Sequence, residues 1–282
     1  LNTNIRKQYF DHILKYCCDI QADKRFVMLS GGVDSFMLLA ALMQRFNPQD
    51  VTALLIRGVK TPDFAKAEAA AKYFGVKTYT KTIRIDDYLD NTYLCRNTND
   101  TSVFQLIFRV AADLLLRDIT IKDSAVYQGD GADSLYGTHS PFIYIESTEL
   151  SRKMSISKNE AREILRCRHR RKRLSGKCSG TAPVVADVIQ SFSGIPVQPW
   201  VSGEFEYVLD VPLSEFKGPK KKWVVDGLVS EWGIDRRIAK SRARITMQEG
   251  IGFYKVLCKE LCRKYKTKTA NTAVKMITKG AL

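Results

Sequence analysis

The stretch RFVMLSGGVDSFMLLAALMQRF, residues 25–46, constrains this chain more than any other. RFVMLS is a short apolar run that reads as a buried strand. It passes through Gly31 and Gly32 directly into DSFMLLAALMQRF, whose apolar residues keep helical spacing until Asn47-Pro48 stops them. A strand that turns on glycines into a helix is the unit from which parallel sheets are wound. The turn is also an anion site, because glycines let the backbone approach a phosphate and the first helical N–H groups favour negative charge. Ser30 and Ser35 add hydroxyl donors. Asp34 repels an anion unless a divalent cation lies between them, so it points to Mg2+ beside the phosphates. The loop has neither the lysine of the G-x-x-x-x-G-K-[ST] loop nor the G-x-G-x-x-G spacing.

The same unit recurs along the chain. Residues 5–20 carry Ile5, Tyr9, Phe10, Ile13, Leu14 and Cys17 at helical spacing, which predicts an opening helix. DVTALLIRG predicts a second strand, DFAKAEAAAKYFG a helix closed by Gly75, and VKTYTKTI a third strand. VFQLIFRVAADLLLRD is the clearest helix of the next stretch, and SAVYQGDGADSLYG reads as a strand delivering a second glycine-rich turn. Alternation of this kind predicts an α/β fold with a doubly wound parallel sheet and ligands at the carboxyl ends of its strands. From about residue 148 the pattern turns helical and basic with no strong strand. Two parts are therefore expected: an α/β domain over 1–147 and a helical region over 148–282 packed upon it.

The second turn reads Gly129-Asp130-Gly131-Ala132-Asp133-Ser134-Leu135-Tyr136-Gly137. Its two aspartates join Asp34 as acidic groups at strand ends. Asp34 and Asp133 can share Mg2+ on a triphosphate, which leaves Asp130 for chemistry.

SGGVDS resembles the pyrophosphate-binding loop (PP-loop) of the N-type ATP pyrophosphatases, and GDGADSLYG resembles the second motif of their asparagine synthetase and β-lactam synthetase group. IPVQPWVSGEFEYVLDVPLSEF, KKKWVVDGL and RARITMQEGIG resemble later segments of that group, in the same order, so the likeness runs over roughly residues 8–255. It implies an adenine nucleotide alpha hydrolase-like sheet, with ATP bound by the first part and the acceptor on the side of the second. It implies that ATP adenylates an acceptor carboxylate or amide oxygen, that PPi leaves into the SGGVDS loop, and that an amine or ammonia then displaces AMP. Under this resemblance Ser30, Gly31, Gly32, Asp34 and Ser35 hold the pyrophosphate, with Gly129 beside them, and Asp34 and Asp133 hold magnesium. Leu29, Ile56 and Gln128 fall where the family contacts adenosine. Asp130 matches a glutamate that assists proton removal or orients the acceptor, and Lys222 matches a phosphate-binding lysine.

The departures from the family pattern lie on the acceptor side. Ser134 stands where a glutamate is usual, and Thr138 and His139 replace Gly-Tyr, which makes Ser134 and His139 candidates for the acceptor pocket. Arg244, with Arg242 near it, stands where a second catalytic lysine is expected; arginine clamps phosphate but does not readily give up a proton. ATP activation is therefore expected to be retained with an acceptor other than aspartate. The chain starts almost at the synthetase helix, so a standalone synthetase domain is expected, with ammonia, another amine or sulfur coming from solution or from a partner protein. Two further readings stay open: a sulfur-inserting enzyme acting on a nucleobase or tRNA, and an inactive nucleotide- or nucleic-acid-binding module.

Composition bears on partners. Lysine and arginine number 45 against 30 aspartates and glutamates, a net charge of +15 that suits anionic partners. The charge is dense over residues 160–180, EAREILRCRHRRKRLSGKCSG, where an anionic acceptor or a nucleic acid would land. The seven cysteines show no C-x-x-C pair, so reduced core thiols are expected and a zinc site is not. Cys95, in a polar stretch, is the thiol that a sulfur-transfer enzyme would use. Trp200, Trp223 and Trp232 read as core. No apolar run reaches membrane-spanning length and no signal peptide is visible, so a cytoplasmic protein without membrane contact is expected.

Overall fold

The computed structural model describes residues 2–58, 62–136, 141–174, 182–201, 205–212, 215, 222–240 and 253–280. Helix α1 (Asn2–Cys18) precedes β1 (Arg25–Met28), α2 (Val33–Leu42), β2 (Val51–Arg57), α3 (Pro62–Phe74) and β3 (Lys77–Thr82). After α4 (Ile85–Asp90) and α5 (Val103–Leu116) comes β4 (Ala125–Tyr127), which leads into α6 (Ala132–Tyr136), α7 (Pro141–Met154), α8 (Lys158–Leu174) and α9 (Ala182–Ser191). Strand β5 (Ile195–Val197) and helices α10 (Lys222–Ser230), α11 (Arg236–Lys240), α12 (Tyr254–Lys264) and α13 (Ala270–Thr278) complete the described order. No helix among the described residues is long and apolar enough to cross a membrane.

The five strands lie in the order β3-β2-β1-β4-β5, and every pairing is parallel. The chain builds outward from β1 through β2 to β3, then returns to the other side of β1 for β4 and β5. The winding reverses between β1 and β4, and a reversal of this kind leaves a crevice at the carboxyl ends of the two strands. Both glycine turns open into it.

Alternation along the strands sorts the core into two faces. Val27, Leu29, Ala53, Leu55, Ala125, Tyr127 and Val197 face α1, α2, α3 and α10. Phe26, Leu54 and Val126 face α5 and α9, through Phe108, Ala112, Leu115, Val184, Val185 and Val188. Both faces are covered, which is why β2 reads VTALLIR without a polar–apolar alternation. β3 is an edge strand with mostly exposed residues, in keeping with its Lys-Thr pattern.

The sequence gives no strong strand after residue 148, yet β5 joins the sheet there. It is three residues long with Pro196 in the middle, which hides it from any period-2 reading. The proline is tolerated because β5 is an edge strand: Ile195 N–H bonds the Ser124 carbonyl, the Val197 carbonyl accepts from Gln128, and the proline nitrogen needs no partner. Residue 148 itself falls inside α7. The later helices return to both faces, α10 against α1 and α2, and α12 and α13 against α4 and α5.

Tyr9 of α1 ties these pieces together. It is fully buried and accepts a hydrogen bond from Trp200 Nε1 at 2.6 Å. Its hydroxyl pairs with that of Tyr136, and its ring meets Phe205, Trp223 and Phe10 in edge-on or tilted contacts. Trp200 and Trp223 are 2% and 1% exposed, as core tryptophans should be. Replacing Tyr9 with Phe keeps the ring but removes the acceptor from a buried indole N–H, at about 1–3 kcal/mol. Urea denaturation should show that loss, and an unchanged midpoint would remove Tyr9 from this role.

Candidate functional site

The loop between β1 and α2 is closed by its own serines. Ser30 N–H donates to Ser35 Oγ at 3.1 Å, and the two hydroxyls stand 3.1 Å apart. Gly32 N–H donates to Ser30 Oγ, and Ser35 Oγ donates to the Gly32 carbonyl, each at 3.3 Å. The serines that flank the glycine pair thus shape the loop before any ligand arrives. Both hydroxyls, which the sequence reading offers to an anion, are engaged within the loop itself. Gly32 is the N-cap of α2 and brings no side-chain cap.

Gly31 cannot be another residue. Its φ is +80°, and a Cβ there would run into the backbone carbonyl of Asp63 at the start of α3. Asp63 is 5% exposed, a buried carboxylate beside the loop that sequence reasoning missed. The one sign of it in the sequence is Pro62-Asp63 opening a helix.

The second turn meets the first backbone to backbone. A Cβ on Gly129 would lie 2.9 Å from the Ser35 nitrogen and 3.3 Å from both Asp34 Cβ and the Asp34 carbonyl carbon. The loops after β1 and β4 therefore touch. Burial pushes the pKa of Tyr136 well up, and Tyr9, Asp34 and Asp133 push it the same way. Burial raises Tyr9 too, with Asp34 adding to it. Asp34 and Asp133 thus act on one phenol pair from the two loops. Asp130 is half-buried beside them.

Of the residues expected at adenosine, Leu29 is 3% exposed with its N–H on the Leu54 carbonyl, and Ile56 packs between the α5-side clusters. Gln128 is 3% exposed, and neither atom of its side-chain amide has a hydrogen-bond partner. A buried amide left so costs about 1–3 kcal/mol, which a ligand bonding it would recover. Lys222 sits at the start of α10 with a largely exposed side chain, donating to Asp226 Oδ2 at 2.6 Å, while Arg236 pairs with the same carboxylate at 3.2 Å. The hydrogen bond to Asp226 holds the Lys222 ammonium above its ordinary pKa. Ser134 belongs to α6, but its side chain, and the whole of His139, Arg242 and Arg244, lie outside the described residues.

The basic segment begins in α8, which docks on α6 and α7 through the buried Ala161 and Leu165. Arg166 bonds Glu163 at 3.2 Å; the side chains from residue 169 onward lie outside the described residues. The helix that carries the arginines is thus seated on the helix that carries Asp133.

Two predictions follow from this geometry. Gly129→Ala places a methyl against the Ser35 amide. Losing one charge-assisted hydrogen bond of about 1.5–3 kcal/mol should weaken Mg2+–pyrophosphate binding in calorimetry by roughly ten- to a hundredfold; unaltered affinity would contradict the contact. Cys95 is fully buried, and burial pushes its thiol up to about 12, with Asp100 adding to the shift. It has almost no thiolate at pH 8, so iodoacetamide should label the exposed Cys167 and spare Cys95 until the protein is unfolded. Native labelling of Cys95 at the rate of Cys167 would contradict this. Its burial does not suit the sulfur-carrying role considered for it.

No curated protein matched the chain in a sequence comparison. Among solved structures, the NH3-dependent NAD synthetase from Campylobacter jejuni subsp. jejuni NCTC 11168, in complex with the nitrate ion, is similar at 16% identity and a TM-score of 0.36. That match covers 68% of this chain and 93% of the synthetase. The model of the asparagine synthase family matches residues 19–204, more than half of the chain, from just before β1 to just after Trp200. The chain belongs to the asparagine synthase family.

Proposed function

We propose that this PP-loop ATP-using ligase activates an acceptor carboxylate, or an amide oxygen, by adenylation, releases PPi, and transfers an amine or ammonia to the acceptor. The observation that carries the reading is the contact of the two glycine turns at the β1/β4 reversal, where Gly129 lies against the Ser35 nitrogen and Asp34 and Asp133 act on the same phenol pair. A serine-closed glycine loop at the start of a helix suits a leaving pyrophosphate, and it has no lysine for γ-phosphoryl transfer.

In this reading Ser30, Gly31, Gly32 and Ser35 hold the pyrophosphate through backbone and hydroxyl donors. Asp34 and Asp133 would hold Mg2+. The donor set is one carboxylate from each of the two glycine turns. Two carboxylates suit an ion that takes its other ligands from phosphate and water. Such an ion, when bound, neutralises charge on the phosphate oxygens. Leu29 and Ile56 flank the adenosine, and the unpaired Gln128 amide offers a donor and an acceptor to its base. Asp130 takes the proton from the attacking amine. Lys222, released from Asp226, meets phosphate charge with Arg242 and Arg244. Ser134 and His139 shape the acceptor side, and the α8 arginines receive an anionic acceptor.

The test is PPi release from ATP and Mg2+ across a panel of carboxylic acids with ammonium present. Asp34→Asn and Asp133→Asn should each lower turnover at least about 100-fold. Asp130→Asn should keep ATP affinity within a few-fold and lower product formation by roughly 10²–10⁴. Wild-type rates in the Asp34 and Asp133 variants would overturn the assignment.

A further inference from the structure

On the α5/α9 face of the sheet lies a second concavity, a cavity of about 550 Å³ lined in part by Asn97, Asn99, Asp100, Gln105, Arg109 and Asp187. Both α5 and α9 lead into parallel strands, so their first turns stand at the same carboxyl edge as the glycine loops. The volume is in the range of small-molecule sites.

Its charge is set by one buried pair and one extra carboxylate. Arg109 is 9% exposed and grips Asp100, itself 2% exposed, through Nε and, at 3.2 Å, through Nη2. Both carboxylate oxygens of Asp100 are thereby used, and the pair is neutral. Asp187 Oδ2 stands 3.6 Å from Arg109 Nη2, on a side chain that is 62% exposed. The described lining therefore has one negative charge in excess, on a chain whose net charge is +15.

An anion would find little here. The start of α5 is already capped: Ser102 Oγ accepts from the Gln105 N–H, and Asn271 Oδ1 accepts from Val103 N–H at 3.0 Å. Two carboxylates stand around the guanidinium. A cation finds Asp187 at the rim, the polar side chains of Asn97 and Asn99 in the lining, and the apolar Pro183 and Val184 on the wall. The wall is fixed, because the Asn97 N–H is bonded to the Thr278 carbonyl of α13 at 3.0 Å.

We propose that this cavity binds a small molecule carrying an alkylammonium group, with the ammonium on Asp187 and the alkyl chain against Pro183 and Val184. The site is separate from the ATP loop, and its occupancy does not depend on the reaction assigned to that loop.

Titration of the full chain with n-butylammonium chloride, without ATP, tests it by the side-chain amide signals of Asn99 and Gln105 in ¹H–¹⁵N spectra. Saturable shifts are expected with butylammonium and none with butyrate. Asp187→Asn should weaken butylammonium about tenfold, Asp187→Glu should retain it, and Asp11→Asn, an exposed change far along the surface, should not alter it. The proposal is overturned if butylammonium gives no saturable shift. Equal shifts from butyrate, or an unchanged affinity in Asp187→Asn, would also overturn it.

Discussion

The close approach of Gly129 to the amide of Ser35 is the contact on which the rest of the site depends. It needs a residue without a side chain at the end of β4 and a tight glycine turn at the end of β1. It needs both strands side by side and parallel, so that their ends arrive at the same level. With these conditions met, two sequence-distant turns, each carrying an aspartate, meet at one end of the sheet. A carboxylate on one loop would repel a polyphosphate.

The second requirement is that the two loops stay in register, and the buried aromatic set around Tyr9 supplies it. Tyr136 comes from the helix after the second glycine turn, Met37 from the helix after the first, and Trp200 and Trp223 from the later half of the chain. Each contributes a ring or sulfur to a single packed cluster, and polar atoms within it bond one another. Burial alone would hold these helices together. The Trp200–Tyr9 and Tyr9–Tyr136 bonds add direction, because an indole N–H and a phenol are satisfied in few orientations. The position of the two glycine loops thus depends on helix α1, which belongs to neither of them.

Much of this was legible from residues alone. The strand–glycine–helix unit, the parallel sheet and the place of the second glycine turn after a strand follow from local pattern, because glycine spacing and apolar periodicity are local properties. The three-residue β5, with its central proline, was not legible, since an edge strand that short leaves no periodic trace. Asp63 was missed for a different reason: its place beside Gly31 is made by the approach of α3 to the loop, a tertiary fact. The Arg109–Asp100 pair was missed because each reads as an ordinary surface charge until α5 and α9 close over them. Lys222 was named by motif, and Asp226 lies in the same segment one helical turn on, but the ion pair between them is a fact of the folded helix.

The account rests on ATP being cleaved between its α and β phosphates, so the phosphorus spectrum of the products is its most direct test. With ATP, Mg2+, ammonium and a turned-over carboxylic acid, ³¹P resonances of AMP and pyrophosphate should grow together in equal amounts. Growth of ADP and inorganic phosphate instead would contradict it.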